Sequence, residues 1–431
     1  MFTTSNRIIM VDDSDNDLIN LSAVFSKNGI GCRTFVYDPF YSSPMKGVKM
    51  LFMDINLNSA KSDQERNAVL QDAIIKYIHE DNGPYALIFW TSNIEWIESF
   101  LDYVNRTPDE DLNKRNPYFV GSIDKYEFYD PAKELEDKVK QIFSSPIVSM
   151  LFDFDDIMSF SISDTISKLL SIIPKGTKWG DNSTFETNSQ KVFSSIAVQT
   201  LGYQNAKEDP DRAIKEAMIP IFADSFLNEP HCIWNTNLYL LKESKNSKEI
   251  SFPDFFDEAQ LNHIFHLDDR SVNKNDRGAV SPLLNMDDWF FHQFGCTYDE
   301  WFTNSFPSIE EVDKKKAIAI CVEFSAACDF SQRRPRTNKF LLGVILPSSS
   351  ATKLKVGKNV ADCILPLPYK FRINTEEKVI ALNMNYSFTV VSLFKDEWIG
   401  NPLFCFKKEL MDMIGNKYAN HISRIGITTF R

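Results

Sequence analysis

"RIIMVDDSDND", Arg7 to Asp17, runs from an apolar stretch straight into two adjacent carboxylates, Asp12 and Asp13. A short run of this kind, rich in β-branched residues, reads as a strand, and Leu18, Leu21, Val24 and Phe25 then follow at helical spacing. The unit recurs. Strands are expected at 7–11, 32–37, 49–55, 85–90 and 118–123. Between them, Ser62 and Glu65 form a capping-box pattern ahead of a helix carrying Leu70, Ile74, Tyr77 and Ile78. A second helix carries Ile97, Phe100, Leu101 and Val104, and Pro131 opens a third with Leu135, Val139 and Ile142. The strands are almost continuously apolar rather than alternating, the mark of a parallel sheet covered on both faces. The expectation is a doubly wound five-stranded α/β domain over residues 1–145, with its crevice at the carboxyl ends of the strands.

Residue chemistry then becomes specific, because strand ends in such a sheet converge. They carry Asp12 and Asp13, Asp54, Thr91 with Ser92, and Lys125. Three carboxylates at one rim repel one another unless a cation joins them. Hard oxygen donors in that number suit Mg²⁺, which binds through one or two carboxylates together with phosphate oxygens. The set matches phosphoryl transfer, with Asp54 as carboxylate nucleophile, Lys125 neutralising phosphoryl oxygens and Thr91 donating a hydrogen bond to one of them. Taken singly, the acidic pair reads equally well as a helix N-terminal cluster favoured by the dipole, and Lys125 as a solvated lysine. It is the five together that point to a site.

The motifs "IIMVDD", "LFMDINL", "IFWTSN" and "SIDK", in this order, resemble the receiver domain of two-component response regulators over about the first third of the chain. The resemblance implies Mg²⁺ on Asp12, Asp13, Asp54 and the backbone carbonyl of Asn56. It further implies phosphorylation of Asp54 by a histidine kinase or phosphotransfer protein, and read-out of that state by Thr91 and Lys125. The sequence departs from the family's usual pattern in having Ser122 rather than an aromatic three residues before the lysine, and Tyr126 rather than Pro after it. The short link "DPFYSSPMKG" predicts that the helix between the second and third strands is missing. "TPDEDLNKRNP", at 107–117, reads as an inserted polar loop near the edge of the site.

Beyond residue 145 the pattern changes to a helical section over 146–230. It is followed by an α+β domain over 231–431, with a small sheet or barrel at about 317–394 and a helix near 403–422. Residues 267–281 read as a polar loop or hairpin tip. No output module is recognisable there. The two outputs that fit are partner binding or self-association through residues 146–431, and a phosphate sink that competes for the same kinase, a design suited to bacterial stress or antiviral signalling. A silent receiver acting as a scaffold, or a receiver regulating a C-terminal enzyme that uses Cys328, are the alternatives. His263 and His266 stand at helical spacing with no second pair of His or Cys nearby, so a metal is not expected there.

Composition sets outer limits. At 431 residues the chain has room for two or three domains, and 43% hydrophobic with 25% charged residues is an ordinary globular balance. No apolar run nears the roughly 18 residues of a membrane span, and "MFTTSNR" lacks a signal-peptide pattern, so a cytoplasmic protein is expected. Seven cysteines, odd in number and without a CxxC pair, argue against a disulfide framework or a structural zinc. A net charge of -12 argues against nucleic acid as a partner, leaving "QRRPRTNK" at 332–339 and the final arginines Arg424 and Arg431 as local exceptions.

Overall fold

The computed structural model describes residues 7–27, 29–58, 60, 62–126, 137, 141–142, 145–175, 178, 182–230, 238–247, 250–270, 272–284, 286–326, 337–354, 361–390 and 398–423. The chain forms two compact units, Met1–Ile172 with Pro220–Glu243, and Ile173–Ile219 with Ser244–Arg431.

The first unit is built on β1 (Ile8–Asp12), β2 (Arg33–Val36), β3 (Met50–Met53), β4 (Ala86–Thr91) and β5 (Phe119–Asp124). All neighbours pair in parallel, in the order β2-β1-β3-β4-β5. That order reverses direction at β1, which is the flavodoxin-like arrangement with its crevice between β1 and β3. The three inner strands β1, β3 and β4 are buried at every position, which is why they read as continuous apolar runs. α1 (Asp15–Lys27) covers one face with Leu18, Leu21 and Phe25. α2 (Asp63–Tyr77) and α3 (Trp96–Arg106) cover the other with Leu70, Ile74 and Phe100. Ser62 caps α2 as expected, its Oγ accepting the Glu65 N–H at 3.2 Å.

Between β2 and β3 there is no helix, as the short link predicts. The 107–117 insertion differs from expectation in two ways. It holds a helical turn, α4 (Glu110–Asn113), capped by Asp109. It also lies at the amino ends of the strands rather than beside the crevice: Tyr85, at the start of β4, donates its hydroxyl to the Arg115 carbonyl at 2.6 Å. The connection must return there, because β5 runs parallel to β4. The helix expected from Pro131 falls outside the described residues except for Asp137, Gln141 and Ile142. The next helix, Pro146–Ser171, packs Val148 and Phe152 against the α1 face. Arg7 fastens it through Asp156 at 2.9 Å and Ser159 at 2.7 Å.

The second unit carries a seven-stranded, wholly antiparallel sheet ordered β10-β11-β9-β8-β7-β12-β6. Its strands are β6 (Leu267–Asp268), β7 (Ala279–Pro282), β8 (Ile318–Glu323), β9 (Asn338–Pro347), β10 (Ile364–Ile373), β11 (Glu376–Val390) and β12 (Phe404–Phe406). The sheet is therefore wider than the 317–394 expected. β6, β7 and β12 escape a reading by periodicity because they are only two to four residues long. The stretch at 267–281 is not a hairpin tip: it begins in β6 and ends in β7, and β12 lies between those two strands. Along β9, Phe340, Leu342, Val344 and Leu346 enter an aromatic core with Phe290, Trp301 and Phe302, while Leu341 and Ile345 face Leu410, Met411 and Ile414 of the helix Lys408–Ile422. Alternation along one strand thus feeds two cores.

Candidate functional site

Each apolar strand of the first unit stops where a polar side chain begins. β1 ends on Asp12, β3 is followed at once by Asp54, β4 ends on Thr91, and Lys125 follows β5. Since the strands are parallel and in register, Asp54 N–H bonds the Val11 carbonyl at 3.0 Å and Lys125 N–H bonds the Thr91 carbonyl at 2.9 Å. The four side chains are thus carried to one crevice by backbone pairing, and all four are buried: Asp12 and Thr91 are 0% exposed, Lys125 4% and Asp54 7%. Asp13 stands exposed at its edge.

The centre of the cluster is the Lys125 ammonium. Its Nζ donates to Asp12 Oδ2 at 2.6 Å, Asp54 Oδ2 at 3.0 Å and Asp17 Oδ2 at 3.1 Å. Asp12, Asp13 and Asp54 each offer a carboxylate oxygen within 4.8 Å of the others. Burial pushes the Asp12 carboxyl up to about 7, against the pull of Lys125 and with the Asp54 charge adding to the rise. Burial also works against the Lys125 ammonium, yet Asp54 and Asp12 outweigh it and hold its pKa above the ordinary lysine value. The remaining carboxylate oxygens are held by turns: Ser14 N–H donates to Asp12 Oδ1 at 2.8 Å, and Asn56 N–H to Asp54 Oδ1 at 3.3 Å. Thr91 Oγ1 accepts the Asn93 N–H at 3.1 Å, and its hydroxyl proton has no acceptor among the described residues.

The expected residues thus come together: Asp12, Asp13, Asp54 and Lys125 in direct proximity, Thr91 at the end of the adjoining strand, and Asn56 half-buried two residues past Asp54. Sequence reasoning passed over Asp17, although it lies within the opening run, one helical turn beyond Asp13. Its position in the first turn of α1, four residues after Asp13, was the available signal. Also missed was Arg66, whose guanidinium lies 3.9 Å from the Trp96 ring centroid and joins the first turns of α2 and α3.

As a donor set the cluster is all oxygen, with three carboxylates and neither His nor Cys, and it fits a hard cation of the Mg²⁺ class. The first unit is therefore a doubly wound α/β domain with an acidic crevice at the carboxyl edge of its sheet. No family model matches the chain, and no curated protein matches it.

Other candidates resolve differently. His263 uses both ring nitrogens, Nδ1 with the Arg372 carbonyl at 2.6 Å and Nε2 with Asp269 at 2.7 Å, while His266 stacks on Tyr369. Cys328, residues 332–336 of the basic segment, and Arg424 and Arg431 lie outside the described residues. Among the described residues no helix is long and apolar enough to cross a membrane.

Proposed function

We propose that the first unit is a receiver-type phosphoacceptor that takes a phosphoryl group onto Asp54 from a histidine kinase or phosphotransfer protein. The observation that carries this reading is the Lys125 ammonium held at 3.0 Å from Asp54 and 2.6 Å from Asp12 in a buried crevice. An Asp54 oxygen attacks phosphorus, the bond from phosphorus to the donor's imidazole nitrogen breaks, and that nitrogen leaves with the electron pair. Lys125, which neutralises Asp54 at 3.0 Å, would then neutralise the new phosphoryl oxygens. The Thr91 hydroxyl has a proton to donate to one of those oxygens. Asp12, Asp13, Asp54 and the Asn56 carbonyl would hold Mg²⁺, which supplies further positive charge against the phosphoryl group. Hydrolysis by water later breaks the phosphorus to Asp54 bond and returns the carboxylate.

In this reading phosphorylation shifts an equilibrium felt by residues 146–431, which then bind a partner or another copy of the chain, or else Asp54 serves as a phosphate sink. Beryllofluoride, a mimic of a carboxylate-bound phosphoryl group, gives a direct test. With Mg²⁺ it should raise the melting temperature of the wild type and leave Asp54→Asn unchanged; an equal response from both would remove Asp54 as the acceptor.

A further inference from the structure

The first unit has a cavity of about 140 Å³ that the phosphoacceptor reading does not use. Leu87 lines it, four residues before Thr91 and so roughly 13 Å back along the strand from the crevice. Its other apolar walls are Ile74 of α2, Phe100, Leu101 and Val104 of α3, and Leu112 of α4. The 107–117 insertion closes it, and that wall is pinned. Gln71 Nε2 donates to Asp109 Oδ2 at 2.8 Å, Arg115 Nε to the Ile78 carbonyl at 2.7 Å, and Tyr85 to the Arg115 carbonyl at 2.6 Å. At its border lie three exposed amide side chains, Asn105, Asn113 and Asn116, with no side-chain hydrogen bond among the described residues.

Protein interiors close-pack, and voids wider than a water molecule are few. One lined by Leu, Ile and Phe stays dry, and a volume of about 150 Å³ is enough for a benzene ring. Here the whole cavity is about that size, its apolar walls face the polar side chains of Asn105, Asn113, Asn116 and Arg115, and the Arg115 guanidinium is already taken up by the Ile78 carbonyl, the layout of a small-molecule site with a few polar groups that set orientation. We propose that this cavity binds a single-ring aromatic molecule bearing one hydrogen-bonding group, the ring between Leu87, Phe100 and Val104 and the polar group at the asparagines.

Phenol and its apolar counterpart toluene are the probes, titrated into the full chain and followed by saturation-transfer NMR and by thermal melting. Saturable phenol binding with a rise in melting temperature is expected, and toluene should bind more weakly. Val104→Phe and Leu101→Phe, which fill the cavity from α3, should weaken phenol by at least about tenfold. Asn105→Ala, Asn113→Ala and Asn116→Ala together change only exposed side chains and should remove the preference for phenol over toluene. Absence of saturable binding by either probe, or undiminished binding in a filled variant that still melts cooperatively, overturns the proposal. Equal binding of both probes to the wild type overturns the role of the asparagine rim.

Discussion

Lys125 is one ammonium among the carboxylates of Asp12, Asp17 and Asp54, and that imbalance governs what single substitutions do. Removing it leaves Asp12 and Asp54 buried without their cation, a change that costs about 3 to 5 kcal/mol when a buried ion pair is broken on one side. Lys125→Met should therefore lower the melting temperature strongly in Mg²⁺-free buffer and recover part of the loss when Mg²⁺ is added. Failure of Mg²⁺ to stabilise the variant more than the wild type would show that the carboxylates do not share a cation site. At this scale the sequence was informative, since the residue types at strand ends announced Asp12, Asp13, Asp54, Thr91 and Lys125. Asp17 was not legible in the same way. An acidic residue in a first helical turn is commonplace, and only the position of Lys125, 108 residues away, makes it part of the cluster.

Among elements, the β10–β11 hairpin shows a local rule under tension. Ile373 pairs with Glu376, so Asn374 and Thr375 form a two-residue turn, with φ of +48° and +67°. Tight hairpin turns want left-handed residues at both positions, and Asn followed by Gly is the preferred pair. A β-branched Thr there is strained. Thr375→Gly should stabilise the protein by about 1 kcal/mol, read as a higher denaturation midpoint at unchanged slope; a lower midpoint would mean the Thr375 side chain has packing value that outweighs its strain. The five parallel strands of the first unit were legible in the sequence. The full width of the second sheet was not. Strands as short as Leu267–Asp268 and Phe404–Phe406 carry no period of their own and are defined by antiparallel partners far away in sequence. The side of the sheet on which the 107–117 insertion lies was likewise set by topology rather than by its polar composition.

For the whole molecule, two compact units give ligand effects a place to be seen. A cation held by the acidic crevice would stabilise the state that binds it. Hydrogen exchange should slow on adding Mg²⁺ in peptides covering 8–17, 50–57 and 119–126, with β8 to β11 of the second unit unaffected. Slowing confined to the second unit would place the cation elsewhere. The role of residues 146–431 was the least legible feature, because the residues that stand out there in sequence are buried in cores such as that around Trp301 and Phe340. The most direct test of the phosphoacceptor assignment is intact mass after incubation with Mg²⁺ and acetyl phosphate, for the wild type beside Asp54→Asn. One added phosphoryl group on the wild type alone is the predicted result. An adduct on both proteins, or on neither, would contradict Asp54 as the residue that carries the phosphoryl group.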